Sequence, residues 1–179
     1  MEYIKKVLNL SEYTNYYESF ELFALTLVAF IFPFLIGHPQ YLVGIIVNSM
    51  LILSALNLKS YKILPVVLAP SLGVLAKGLV FGSLSKFLLL LIPSIWIGNL
   101  ILVFTFKAFR LKHKRSYFST LVYASFFKSI FLFGSALILY KFGLIPVIFL
   151  TAFGVIQLLT SLGGGFLAYG IQTFKKKVI

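Results

Sequence analysis

Six long apolar runs, separated by short gaps rich in Lys and Arg, dominate this sequence. Each run has at least the roughly 17–25 residues that an α-helix needs to cross the apolar core of a bilayer. We predict membrane-spanning helices at six positions: 20–36, 41–57, 62–81, 86–107, 116–140 and 144–174. In lipid every backbone N–H and C=O group must be paired internally, which favours helices over open sheets. The sequence therefore predicts an all-α integral membrane protein, a bundle of six transmembrane helices.

The composition excludes several classes of protein. The chain of 179 residues is 60% hydrophobic and 11% charged, and its mean hydropathy is +1.03. An ordinary soluble domain is about a quarter charged, and at this size it leaves much of its surface in water. A soluble enzyme and a disordered protein are therefore excluded. The absence of cysteine also excludes a disulfide scaffold and a thiolate nucleophile.

The cations predict the orientation of the bundle. Twelve of the sixteen Lys and Arg residues lie on one predicted side of the membrane: Lys5, Lys6, Lys59, Lys62, Lys107, Arg110, Lys112, Lys114, Arg115, Lys175, Lys176 and Lys177. The other side carries Lys77, Lys86 and Lys141, and Lys128 lies within the fifth run. Because cytoplasmic loops carry an excess of Lys and Arg, both termini are expected in the cytoplasm of a cell whose plasma membrane holds the protein. Topology explains these charges, so nucleic acid is not an expected partner.

Three parts follow from this pattern: a cytoplasmic N-terminal segment (1–19), the transmembrane domain (20–174) and a basic tail (175–179). The first segment is expected to form an amphipathic helix at the lipid interface. Its apolar side is made by Tyr3, Ile4, Val7, Leu8 and Leu10.

Lys128 lies near the middle of the fifth predicted span and has no acid in the other spans to pair with. A cation at this depth costs about 2.5–3.5 kcal/mol on insertion scales. One interpretation is that its ammonium reaches the interface, or bonds backbone carbonyls and the hydroxyls of Ser125 and Ser129. The other is that its missing counter-ion is a bound anion.

Four more residues within the spans are candidates for binding or packing. Asn48 and Asn99 are first expected to hydrogen-bond neighbouring helices. Trp96 fills the core or stacks on a ligand ring, and Gln157 is a further hydrogen-bonding candidate. The triplet 163–165 of glycines predicts close helix packing or a local unwinding.

The loops on the predicted outer side add three candidates. Lys77 anchors its helix at the interface or attracts an anionic solute toward an outward cavity. His38 and Gln40, in the first outer loop, either are plain solvated residues or line the same cavity. A lone histidine is weak evidence for a metal site, and none is predicted.

The sequence lacks the motifs of an enzyme or an ATPase. It contains no P-loop, no HExxH, no GxSxG and no paired carboxylates, so no catalytic residues and no cofactor are predicted. The spans carry no acid beyond Glu21 at the cytoplasmic edge, whereas proton-driven transport usually uses one. A transporter of this kind would take its energy from another chain.

Six spans in a chain of this size, with both termini inside, resemble the substrate-binding S components of energy-coupling factor (ECF) transporters. The segments 37–48 (GHPQYLVGIIVN) and 93–99 (PSIWIGN) look like parts of S-component-like membrane proteins. The resemblance implies an outer-face solute site and docking on a transmembrane coupling protein driven by ATPase subunits. In that family docking uses small residues at four-residue spacing on the first helix. Here the first span offers Ala24 and Ala29, five residues apart.

Two hypotheses follow. The first is a solute-binding subunit of an uptake transporter that binds a small anionic solute in the outer half of the bundle. Its site residues would be Lys128, Lys77, Trp96, Gln157, Asn99, His38 and Gln40. A cavity with cations and no acids suits a carboxylate or another anion. The alternative is a structural or assembly subunit of a membrane complex, with no ligand of its own.

Overall fold

The computed structural model describes residues 2–36, 39–81 and 85–178, and this part of the chain is helical with no β-strand. Its helices are α1 (Glu2–Leu35), α2 (Gln40–Asn57), α3 (Leu64–Phe81), α4 (Ser85–Phe106), α5 (Tyr117–Lys141), α6 (Ile148–Phe153) and α7 (Val155–Val178). A 3₁₀ turn at Ser60–Ile63 leads into α3, and a π-helical turn at Lys107–Lys112 continues α4. The predicted all-α class is confirmed for the described residues.

Five helical segments of the described chain are long and apolar enough to cross a membrane. They are Tyr16–Leu35, Gln40–Asn57, Phe87–Lys112, Tyr117–Lys141 and Ile148–Lys175. Each overlaps one of the predicted runs. The remaining run, 62–81, is helical as the 18-residue α3 but is not among these five. The architecture is therefore compatible with a multi-pass membrane protein.

The N-terminal segment and the first predicted span form one continuous helix, α1. The helix does not break near residue 19, where the sequence analysis placed a boundary. The predicted apolar side of this segment, between Tyr3 and Leu10, concerns side chains outside the described set.

The sixth predicted span is divided at Gly154, which lies between α6 and α7. Its φ of −99° and ψ of −100° lie outside the helical region. A Cβ atom here would come within 2.9 Å of Leu150 O and of Phe133 Cδ2, so glycine permits this geometry. Gly154 N still donates to Leu150 O at 2.9 Å, and Leu158 N donates to Gly154 O at 3.1 Å. The break therefore leaves these backbone groups paired, as a lipid environment requires.

Helix α2 forms the centre of the bundle. Nine consecutive residues, Val47–Ala55, are buried, and α2 contacts α1, α3, α4 and α7. A helix that is buried on all sides belongs to a core rather than to a surface. Every polar side chain in this stretch must therefore find its partners inside the protein.

Glycine lets α7 approach α2 closely. A Cβ atom on Gly164 would lie 2.8 Å from Ile45 O and 2.7 Å from Asn48 Cβ. Helix α7 runs unbroken through the triplet 163–165. Of the two interpretations of this triplet, the structure therefore supports close packing and not local unwinding.

Candidate functional site

Lys128 lies about 17 Å along the axis of α5 from Tyr117, and its side chain is buried, with 2% exposed. Its Nζ donates to Asn48 Oδ1 at 2.6 Å and to Asn99 Oδ1 at 2.9 Å. The cation therefore neither extends to the interface nor pairs with a carboxylate. Two amide oxygens, from α2 and α4, replace water around it.

Further hydrogen bonds orient both amides toward Lys128. Asn48 Nδ2 donates to Gly44 O at 2.8 Å and to Thr160 Oγ1 at 3.3 Å, and Asn99 Nδ2 donates to Val67 O at 3.1 Å. Because each amide nitrogen is engaged this way, each amide oxygen faces the ammonium. The network joins α2, α3, α4, α5 and α7. We call Lys128, Asn48, Asn99 and Thr160 the lysine cluster.

The lysine cluster separates two apolar clusters along α4 and α5. On one side lie Leu102, Val103, Leu121 and Ala124, which belong to the main core. On the other side a smaller cluster contains Leu91, Leu132, Ala136, Ile145 and Phe153. Apolar residues thus exclude water from both directions, which raises the cost of an unpaired charge.

The carboxylates lie far along the chain from this cluster and are engaged elsewhere. Within the described residues the ion pairs involve only Glu18 and Glu21. Glu18 Oε2 lies 3.1 Å from Lys62 Nζ, and Glu21 Oε1 lies 3.0 Å from Lys175 Nζ. No described carboxylate is thus a partner of Lys128, whose charge is balanced by dipoles alone.

Several hydroxyls near the lysine cluster in sequence are buried without a hydrogen-bond partner in the described structure. They are those of Ser49, Ser125, Ser129 and Ser161. The hydroxyls of Ser125 and Ser129 do not bond the ammonium, as one interpretation of Lys128 required. An ammonium has three N–H groups, and the two amides accept two of them. The third N–H group of the ammonium has no hydrogen-bond acceptor among the described residues, and a charged donor of this kind suits an anion.

Trp96 lies one helical turn before Asn99 and is half-buried. Its Nε1 donates to Ser71 Oγ at 2.6 Å, and Ser71 Oγ donates to Leu68 O at 2.9 Å. The indole N–H therefore ties α4 to α3. This contact gives Trp96 a packing role next to the lysine cluster.

Lys77, Gln40 and Gln157 form no hydrogen bond with Lys128 in the described structure. Lys77 Nζ donates to Leu35 O at 3.3 Å, near the end of α1. Gln40 is exposed at the start of α2, and Gln157 is half-buried in α7, where its backbone oxygen accepts from Thr160 Oγ1. His38 lies outside the described residues. Of the predicted residues that the structure describes, Asn99 is the one that hydrogen-bonds Lys128.

Two residues of the lysine cluster were not among the predicted ligands, Asn48 and Thr160. Asn48 was assigned to helix packing, and Thr160 was not singled out. The available signal was that each is a polar residue in the middle of an apolar run.

Two apolar depressions lie at the C-terminal end of α7, beside Lys175. Neither reaches the lysine cluster. Ala29 is fully buried, so in this conformation it does not form a docking surface. Within the described residues no three His, Cys, Asp or Glu side chains come together as metal ligands.

The chain matches no family model, no curated protein and no solved structure.

Proposed function

We propose that the chain crosses the plasma membrane six times and has both termini in the cytoplasm. Lys107 Nζ donates to Leu58 O at 2.6 Å, so α4 ends beside the end of α2. Helix α4 must then begin at the opposite end of the bundle, and α3 has to cross to reach it. Lys77 of α3 contacts Leu35 at that opposite end, which supports the same path.

The end of the bundle that carries Lys107 is the cytoplasmic one in this proposal. At this end of the bundle, the acids of α1 contact the α2–α3 connection and the last turns of α7. The sequence assigns twelve cations to this end, whereas the whole chain has four acids. An excess of Lys and Arg marks the cytoplasmic side of membrane proteins.

Within this topology we propose that the protein binds a small anionic solute at Lys128, as a subunit of an uptake transporter energised by a separate ATPase module. The observation that carries the proposal is a buried cation whose hydrogen-bond partners, among the described residues, are two amide oxygens. Intramembrane ionisable residues are costly and commonly mark ligand or ion pathways. No catalytic role is proposed.

The structure represents the closed conformation in this proposal. The smaller apolar cluster covers the lysine cluster. Its Leu132 packs closely on Gly98, because a Cβ atom on Gly98 would lie only 2.9 Å from Leu132 Cγ. The break at Gly154 adjoins the same cluster through Phe153. Movement of α6 would uncover Lys128 toward the outer side.

The test is ligand-dependent thermal unfolding of the protein in mild detergent. A panel of monocarboxylates, dicarboxylates, phosphate and sulfate is titrated, since a ligand of the folded state raises the melting temperature by mass action. Lys128→Met should weaken binding of the active anion by at least about tenfold. Lys141→Gln, at the far end of α5, is the matched control and should bind as the wild type does.

A second variant protects the test against a folding defect. Asn99→Asp places a carboxylate where an amide oxygen now lies 2.9 Å from Nζ, so the cation stays paired inside the protein. The variant loses the hydrogen bond from Asn99 Nδ2 to Val67 O, so it should be less stable than the wild type, but its buried charges remain paired. It should lose anion binding. The proposal is wrong if no anion shifts the wild type, or if either variant binds the active anion as tightly as the wild type.

A second candidate is a structural or assembly subunit without a ligand. The observation in its favour is that both amides already accept from Lys128, so the ammonium is held by the protein's own side chains. It predicts co-purification with other membrane chains but with no ATPase subunits. Co-purification with a coupling protein and ATPases would instead support the solute-binding subunit.

A further inference from the structure

Two apolar depressions meet at the last turns of α7. The first lies between α1, α2 and α7, and its lining includes Tyr17, Phe20, Glu21, Asn57, Ile171 and Lys175. The second runs along α7 and is lined by Phe166, Leu167, Gly170, Ile171, Phe174 and Lys175. The two share Ile171 and Lys175, so two apolar surfaces converge on one cation.

Lys175 is positioned at the junction by α1. Its Nζ lies 3.0 and 3.1 Å from the two carboxylate oxygens of Glu21 and 4.9 Å from the centre of the Tyr17 ring. The side chain remains 28% exposed, so part of it is open to a ligand. Tyrosine beside lysine is typical of the headgroup level of a membrane.

We infer that this place binds one anionic phospholipid, with an acyl chain in each depression and the phosphate at Lys175. The inference depends on the membrane location proposed above, but not on a solute at Lys128. A phospholipid has two apolar tails joined to one headgroup, which matches two apolar depressions joined at one cation. The second depression extends about 12 Å along α7, from Phe166 to Phe174.

Charge selects an anionic headgroup over a zwitterionic one. Glu18 and Glu21 are the described acids at this end, and both are paired. The cations there include Lys59, Lys62, Lys107, Lys175 and Lys177. An excess of lysines next to a membrane surface attracts anionic lipid.

Glu21 competes with the phosphate for Lys175. Asn57 Nδ2 donates to Glu21 Oε1 at 2.5 Å and helps to hold the carboxylate on Lys175. Removing the charge of Glu21 should free the ammonium for the lipid, whereas removing the charge of Lys175 should abolish the headgroup contact. The two substitutions therefore act in opposite directions on lipid selectivity.

The test compares thermal unfolding of detergent-solubilised protein with added phosphatidylglycerol and with added phosphatidylcholine. Phosphatidylglycerol should raise the melting temperature of the wild type more than phosphatidylcholine does. Gly170→Leu fills the second depression without a clash, since a Cβ at Gly170 meets nothing within 4 Å. Gly134→Leu makes the same change at an equally open position on α5 and is the matched control.

Gly170→Leu should lose most of the phosphatidylglycerol-specific shift, and Gly134→Leu should keep it. Lys175→Gln should lose the preference for phosphatidylglycerol, and Glu21→Gln should increase it. Equal shifts with both lipids in the wild type, or an unchanged preference in both Gly170→Leu and Lys175→Gln, would overturn the inference. Extraction of the protein by detergent but not by alkaline carbonate tests the membrane location separately.

Discussion

The Nζ atom of Lys128 lies 2.6 Å from Asn48 Oδ1, so an amide of the central helix α2 holds the buried cation of α5. The same amide donates from its nitrogen to Gly44 and Thr160, which fixes its orientation. A hydrogen bond to a charged group contributes more than one between neutral groups. This pair therefore determines how α2, α5 and α7 fit together.

Asn48→Ala should lower the free energy of unfolding by about 1–3 kcal/mol, because it leaves Lys128 with one acceptor in a buried site. The measurement is unfolding in mixed micelles with increasing dodecyl sulfate. If this loss of stability arises because the Lys128 ammonium has lost an acceptor, adding Lys128→Met to the Asn48→Ala variant should restore much of it.

The double variant Asn48→Ala/Lys128→Met tests this coupling. Its loss of stability should be smaller than the sum of the two single losses by about 0.5–3 kcal/mol. Additive losses would show that the 2.6 Å contact contributes little.

Gly164→Ala should destabilise the protein, because its new methyl group would lie 2.8 Å from Ile45 O, a backbone atom that cannot move alone. Overpacking of this kind costs about 1–3 kcal/mol. Gly134→Ala is the control: its Cβ meets nothing within 4 Å, and alanine is the better helix former by about 1 kcal/mol. Equal effects of the two variants in the same unfolding assay would contradict the close α2–α7 contact.

The helices could be predicted from the sequence because apolar runs of this length are typical of membrane-spanning segments, in which the backbone has few alternatives to helix. Each predicted run is largely helical, but the first helix begins at Glu2 rather than near residue 20, and the sixth run is divided at Gly154. The break at Gly154 was not predicted, since it depends on Leu150 O and Phe133 crowding the glycine, and composition does not encode that contact.

The candidate site was predicted only in part. Lys128 and Asn99 were expected because a polar residue in an apolar run needs a partner. The pairing of Lys128 with Asn48 depends on the rotation of two helices about their axes, which apolar periodicity does not define when runs are apolar on all sides. Lys77 was grouped with Lys128 by charge alone, and the structure gives it a contact with Leu35 at the end of α1.

Glu18→Gln should lower the free energy of unfolding by about 1–3 kcal/mol, since the buried carboxylate accepts from the Lys59 backbone N–H at 2.8 Å and from Lys62 Nζ at 3.1 Å. The variant leaves two lysines without their counter-charge. Lys59→Gln is the control: that side chain is 55% exposed, and an exposed ion pair contributes at most about 1 kcal/mol. If Lys59→Gln lowers the free energy of unfolding as much as Glu18→Gln does, the exposed Lys59–Glu18 ion pair supplies the stability instead.

The six-span topology can be tested directly because the chain contains no cysteine. Single cysteines at Lys112, Lys141 and Lys177 are treated with a membrane-impermeant maleimide in intact cells. With six spans and cytoplasmic termini, Lys141→Cys should label in intact cells, whereas Lys112→Cys and Lys177→Cys should label only after permeabilisation.

The labelling also separates six spans from five. If α3 did not cross, α4 would run in the opposite direction through the membrane, and the positions of Lys112 and Lys177 would face outward while Lys141 faced inward. Labelling of Lys112→Cys and Lys177→Cys in intact cells would therefore contradict the proposed topology. It would also conflict with the 2.6 Å contact between Lys107 Nζ and Leu58 O, which places the ends of α2 and α4 on the same side.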